Sequence, residues 1–190
     1  LSKLERDIEP ALLRRLLRYE PETGKLYWLA RTSDLFANGV GNHDQRANCN
    51  RWNARFAGKE AFISKGLNGY WIGSLFHRKA YAHRVIWQLV TGESPLCIDH
   101  INGDGFDNRW TNLRSVTRRL NQMNQRKRCD NSTGQTGVGW CRERELWIAF
   151  ITTSGKKRHL GRFAVKADAI VARRAAERRL GFHPNHGRAA

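Results

Sequence analysis

The sequence predicts an α+β fold in more than one part. Three observations carry that expectation. Short β-prone runs broken by Gly, Asn and Pro turns recur from residue 19 to residue 163; apolar residues fall at helical spacing in between; and residues 137–190 read as a self-contained group of three short antiparallel strands followed by one packed helix.

Each element has its own signal. Leu12, Leu13, Leu16 and Leu17 follow Asp7 and Pro10, which predicts a short amphipathic helix with Asp7 as a cap candidate and Pro10 in the first turn. In "YEPETGKLYW" (19–28) a Pro and a Thr-Gly turn lie between aromatic segments, the pattern of a β-hairpin. Residues 31–55, rich in Asn, Arg and Gly with little periodicity, read as an irregular loop. From Ala61 onward an Asn-Gly turn at 68–69 joins β-prone runs, and Val85, Ile86, Leu89 and Val90 mark an apolar helix that Gly92 ends. The stretch "IDHINGDGFDNRWTNLR" (98–114) reads as a hairpin, "SVTRRLNQMNQRKR" (115–128) as a basic helix and "CDNSTGQT" (129–136) as a flexible polar linker. "GVGWCRE", "LWIAFITT" and "KKRHLGRF" supply the three last strands, and residues 165–180 a helix with Val165, Ala169, Ala172, Ala176 and Leu180 on one stripe and Gly181 as its stop. The expected divisions are an N-terminal region 1–60, a central domain 61–128, the linker 129–136 and a C-terminal domain 137–190.

Composition narrows the partners. With 190 residues and 40% hydrophobic content the chain can bury a core, and 34 Lys and Arg against 17 Asp and Glu leave a formal charge of +17. Such an excess calls for a polyanion, nucleic acid first and an anionic membrane surface second. No apolar run spans a bilayer, so the expected setting is soluble and intracellular, without a membrane partner. Cys49, Cys97, Cys129 and Cys141 form no CxxC pair, which favours reduced bystanders over structural zinc or a disulfide framework.

The densest acidic and amide cluster of this basic chain lies at 98–114. A hairpin there, followed by a helix, would let Asp99, His100 and Asn112 approach Asn121. Phosphodiester hydrolysis needs a deprotonated water, stabilisation of the pentacovalent phosphate and neutralisation of the leaving oxygen. A neutral imidazole can serve the first. Carboxylate and amide oxygens holding one Mg²⁺ or Mn²⁺ ion suit the other two.

Through "AHRVIWQLVTG", "IDHINGDGFDNRWTNLRSVT" and the Asn-containing helix, about residues 61–126, the chain resembles the His-Asn-His (HNH) endonucleases of the ββα-metal, or His-Me finger, fold, in particular the phage and intron homing type. The resemblance implies that His100 is the general base, that Asp99 and Asn121 ligate the single divalent ion, and that Asn112 braces the loop orienting His100. Asn rather than His at the third position matches a homing-type variant, and Asn124, one turn on, is the alternative ligand. It also implies double-stranded DNA as substrate, 3′-hydroxyl and 5′-phosphate ends, action as a monomer or homodimer, and a phage-encoded protein in bacterial cytoplasm. Asp104, Asp107 and Asn108 read as turn formers, Trp87 and Trp110 as core, and His83 as structural or a DNA contact. Candidate DNA contacts near the site are Arg84, Arg118, Arg119, Arg126 and Lys127. The expected cleavage rate rises from about pH 6 towards 8 as His100 loses its proton.

Residues 134–187, through "TGVGW", "WIAFI", "HLGRF" and the Ala-rich helix, resemble the Apetala-type, or ethylene-response-factor-like, DNA-binding domain, whose sheet enters the major groove. Thr136, Gly139 and Val165 depart from the plant pattern, so base preference does not transfer. The contact candidates here are Arg142, Arg144, Lys156, Lys157, Arg158 and Arg162, with Trp140 and Trp147 open to either core or interface. Two rivals stand beside a nuclease: a DNA-binding protein with a relic nuclease motif, and an RNA-binding protein.

Overall fold

The computed structural model describes residues 8–36, 44–124, 131–153, 155–184 and 186–187. It is a mixed α+β structure of small antiparallel sheets and helices, dividing into two compact units, Leu1–Ser115 and Val116–Ala190, ahead of the boundary expected at residue 128.

The first unit begins with α1 (Pro10–Leu16), with Pro10 in its first turn as expected. Asp7 lies outside the described residues, and Leu17 has already left the helix to start β1 (Leu17–Glu20), which pairs with β2 (Lys25–Trp28) in the expected hairpin. Residues 31–55 are not an irregular loop: a 3-10 turn (Ser33–Phe36) and the twelve-residue α2 (Gln45–Phe56) occupy most of it. Asp44 caps α2 by accepting from the Arg46 amide, and Trp52, packed on Phe56 one turn on, anchors the helix against Trp28 and Phe36. Cys49 alone is fully buried, so this helix carries no apolar stripe to read.

Strand β3 (Glu60–Ala61) extends the first sheet. A second sheet follows from β4 (Ser64–Lys65), β5 (Trp71–Leu75) and β6 (Arg78–Tyr81), with the Asn-Gly turn between β4 and β5. Helix α3 (Ala82–Thr91) runs to Gly92, whose φ of 79° is the left-handed cap that a glycine adopts without strain. Val85 and Ile86 join Leu13, Leu16, Leu26 and Leu75 in one core, against which Trp87 and Trp110 pack; Val90, expected on the apolar face, is exposed. β7 (Cys97–His100) and β8 (Leu113–Val116) make a two-stranded sheet around the loop 101–112.

In the second unit the basic helix is shorter than its sequence suggests. Residues 115 and 116 belong to β8, Thr117 caps the chain by accepting from the Leu120 amide, and α4 covers only Arg118–Gln122. Arg126 and Lys127 lie outside the described residues. Where a flexible linker was expected, residues 131–136 form a tied turn in which the Thr133 hydroxyl donates to the Val138 carbonyl at 2.8 Å. β9 (Val138–Cys141), β10 (Leu146–Thr153) and β11 (Lys156–Phe163) pair antiparallel in the order β11-β10-β9, with α5 (Lys166–Arg179) packed on them. Ala169 and Ala176 are buried as their stripe predicts, and Val165 is exposed. Arg173 is buried among them, its guanidinium meeting the Glu177 carboxylate at 2.7 Å and the Phe150 carbonyl. Trp147 joins this core and Trp140 is largely exposed.

Candidate active site

Strand β7 turns its last two residues inward. Asp99 and His100 are both buried, whereas most charged or ionisable side chains of this chain are on the surface. Asp99 is held by Arg114 of β8, whose Nε and Nη2 reach Oδ2 at 2.9 and 2.7 Å. His100, only 4% exposed, places Nε2 2.9 Å from Asn108 Oδ1. An amide oxygen can only accept, so this contact fits the tautomer with its proton on Nε2.

Asn108 is therefore more than a turn former. It is 2% exposed, its carbonyl accepts from the Tyr19 hydroxyl at 2.8 Å, and Gly24 lies so close that an added Cβ would stand 2.5 Å from the Asn108 carbonyl carbon. Burial pushes the Tyr19 phenol well above its usual range, which keeps that donor protonated. The N-terminal hairpin thus supports the loop behind His100. Asn112 ties the same loop: its Nδ2 donates to the Asp107 carbonyl at 2.7 Å and to Asn102 Oδ1 at 3.0 Å, while its Oδ1 accepts from the Asn102 amide at 2.9 Å.

Aromatic rings enclose the imidazole. Tyr70 and His83 have ring centroids 5.6 and 5.2 Å from that of His100, and Tyr81 stacks on His83. Burial, with His100 and Arg84 nearby, pushes His83 down to about 3, so it is neutral. Burial also lowers His100 below its ordinary 6.5, against the opposing pull of Asn108 and the carboxylates of Asp99, Asp104 and Asp107. The result is an unprotonated imidazole near neutral pH, the form a general base needs.

The other expected residues divide between the two units. Asn121 lies on α4, in the second unit, with Asn124 buried shortly after it. Arg84 donates to the Pro95 carbonyl at 2.9 Å, so its guanidinium serves the fold around α3. Arg118 and Arg119 are exposed on α4. Arg142 and Arg144 are exposed on the turn after β9; Lys156, Lys157, Arg158 and Arg162 are exposed along β11, with the Lys157 ammonium 3.9 Å over the Phe150 ring. His83, read as structural or a DNA contact, is buried among Tyr70, Tyr81 and His100, whereas the bond of Asn108 to His100 goes beyond the turn-former reading.

The donor set suits a hard cation. The Asp99 carboxylate offers oxygen, a donor of the hard kind. Among the described residues no three His, Cys, Asp or Glu side chains gather, and the Asp99 carboxylate is paired with Arg114.

Comparison with known proteins points the same way. Residues 80–123, which run from β6 through α3 and the β7–β8 loop into α4, match the family model described as HNH endonuclease. Protein 3.8 of Escherichia phage T7 is 31% identical over 84 residues, 43% of this chain and 69% of that protein. No solved structure matches the chain significantly. Spanning more than two thirds of a phage relative, and carrying the matched segment around His100, this chain belongs to the family of Protein 3.8 and contains an HNH endonuclease domain at residues 80–123.

Proposed function

We propose that the protein is a metal-dependent endonuclease that hydrolyses phosphodiester bonds of duplex DNA. The observation that carries this is the buried, neutral His100, held through Nε2 by Asn108 beside the Asp99 carboxylate. In the reaction His100 Nδ1 takes the proton of a water aligned with phosphorus. Asn112 and Asn108 keep the imidazole from turning away. Asp99 and Asn121 would each offer oxygen to one Mg²⁺ or Mn²⁺ ion, which would supply neutralisation of the charge on the phosphate and the leaving oxygen.

In this proposal residues 61–128 form the nuclease domain and 137–190 the DNA-binding domain of Apetala type, reaching phosphates and groove through Arg142, Arg144, Lys156, Lys157, Arg158 and Arg162, with Arg118, Arg119, Arg126 and Lys127 as further phosphate contacts. One site cuts one strand, so double-strand cleavage takes two chains or two events. A relative from a phage supports work inside an infected bacterium; no described helix is long and apolar enough to cross a membrane.

The test is conversion of supercoiled plasmid with Mg²⁺, Mn²⁺ or EDTA, comparing the full chain with His100→Ala. Nicking or linearisation that needs the metal and is lost in the variant supports the proposal. DNA binding with no cutting in any metal moves the function to the relic alternative.

A further inference from the structure

Helix α2 carries an outer face that the fold leaves unused. Its inner face is fixed to one residue of the segment after β2. The Asn53 amide accepts from the Arg31 N–H at 2.8 Å and donates to the Arg31 carbonyl at 2.9 Å, and the Cys49 thiol donates to the same carbonyl at 3.1 Å. The Arg31 guanidinium stands 3.7 Å from the centroid of the Trp52 ring. With Trp52 also held by Trp28 and Phe36, the helix is fixed about its own axis, and the side chains it turns outward are settled.

Arg46, Ala47, Asn50, Arg51, Ala54 and Arg55 are all exposed. At about 3.6 residues per turn, Ala47, Asn50, Arg51 and Ala54 form one line along the helix, with Arg46 and Arg55 on its two flanks. A helix face that meets only water gains from acid and base pairs one turn apart; Arg51 and Arg55 are a like-charge pair at that spacing, which is destabilising. Nothing acidic nearby is left to offset it. From residue 35 to 59 the chain has one acid, Asp44, and its carboxylate accepts from the Arg46 amide at 2.9 Å to cap the helix. The acids on either side are paired, Asp34 with Arg15 at 2.6 Å and Glu60 with Lys25 at 2.9 Å. Among the described residues no carboxylate meets the guanidinium of Arg46, Arg51 or Arg55.

Three cations on one helix face without an acid partner select a polyanion. The shape of the face selects which one. Ala47 and Ala54 keep the middle of the face low, so a partner can come close to the backbone, and a twelve-residue helix, about 18 Å long and roughly 10–12 Å across, matches the width of the major groove. Arg and Asn bond base edges through two contacts at once, and alanine can meet a thymine methyl. Resting on the nuclease function proposed above, and extending it to how the substrate is chosen, we propose that α2 is a DNA-recognition helix. Its outer face lies in the major groove of duplex DNA, Asn50 and Arg51 read base edges, and Arg46 and Arg55 hold phosphates on the two sides. Fixing of the inner face by Arg31 and Trp52 serves this role, because a helix that cannot roll presents the same side chains to every duplex.

The experiment is selection from randomised DNA duplexes by the full chain in EDTA, followed by titration of the selected duplex at several salt concentrations; no cutting is needed. Arg46→Gln and Arg55→Gln each weaken binding to every duplex by about tenfold and lower the slope of log K against log salt by about 1. Asn50→Ala and Arg51→Lys bind unselected duplex within about twofold of the original, lose about tenfold on the selected one, and relax the preference at the base pairs they read. Arg14→Gln removes an equal charge from an exposed position on α1 and leaves the slope unchanged. All these positions are exposed, so the variants keep the fold, which urea denaturation followed by tryptophan fluorescence checks. Equal weakening by Arg14→Gln and Arg46→Gln makes the effect one of net charge and overturns the recognition helix. Failure to select any sequence, a preference unchanged in both Asn50→Ala and Arg51→Lys, or tighter binding of an RNA duplex, whose major groove is too narrow to read, overturns it as well. Selection that depends on α2 in a protein that never cuts leaves the recognition helix standing while the nuclease function fails; His100-dependent cutting that every α2 variant retains at the original rate and sequence preference overturns the helix alone.

Discussion

Substituting Asn108 by Ala separates a base held in place from one merely present. Asn108 Oδ1 is the acceptor 2.9 Å from His100 Nε2, in a position 2% exposed. Its removal leaves a buried N–H without that acceptor, a cost of about 1–3 kcal/mol in folding free energy. It also releases the imidazole to rotate, so that Nδ1 faces the water in a minority of molecules. General-base catalysis is worth ~10²–10⁴-fold, and a base that is misaligned loses much of it. Asn108→Ala should therefore slow metal-dependent plasmid nicking by about 10²-fold or more while lowering the urea midpoint by no more than the stated cost. Asn108→Asp, which restores an acceptor, should recover a substantial part of the rate. The paired assay is single-turnover nicking beside urea denaturation followed by tryptophan fluorescence. An Ala variant that stays folded and cuts at the original rate refutes the anchoring role and, with it, the assignment of Nδ1 as the working nitrogen.

Burial lowers His100 below 6.5, so half-maximal cutting is expected below that pH and a level rate from about pH 7 to 8, instead of the rise towards 8 that an ordinary histidine would give; a midpoint above about pH 7 in a nicking profile contradicts this. His83 is held near 3 against 6.5 in the unfolded chain, so the unfolded state binds the extra proton and stability, complete above 6.5, declines as pH falls towards 3 by up to about 1.4 kcal/mol per unit. His83→Phe should flatten that decline in urea melts between about pH 4.5 and 6.5, and an unchanged slope refutes the burial argument. Arg173→Leu leaves Glu177 and the Phe150 carbonyl without their buried partner and should cost about 3–5 kcal/mol of the second unit's stability by calorimetry, with the Arg173→Leu, Glu177→Leu double variant less affected; equal losses in both would show that the pair is not coupled.

Much of the chain was legible because local signals and tertiary contacts agree. The Thr-Gly and Asn-Gly turns, the Gly92 cap and the alternating strands of the C-terminal sheet each depend on residues within a few positions. α2 was not legible, since a polar helix has no apolar stripe and its stability rests on Trp52 meeting Trp28 and Phe36. Arg173 misled the stripe on α5 for a similar reason: a guanidinium reads as surface until the carboxylate and carbonyl that satisfy it are seen together.

By itself the sequence determined the basic character, the α+β class and the HNH segment that carries Asp99, His100 and Asn112, because charge, turn chemistry and motif spacing are local properties. Only the tertiary structure decided that Arg114 holds Asp99, that Asn108 and not Asn112 touches His100, and that His83 and Tyr70 wall in the imidazole. Those contacts join β8, the first hairpin and the second sheet to one buried point, and burial there is what lowers His100 below its ordinary pKa, a property no short stretch of residues possesses alone.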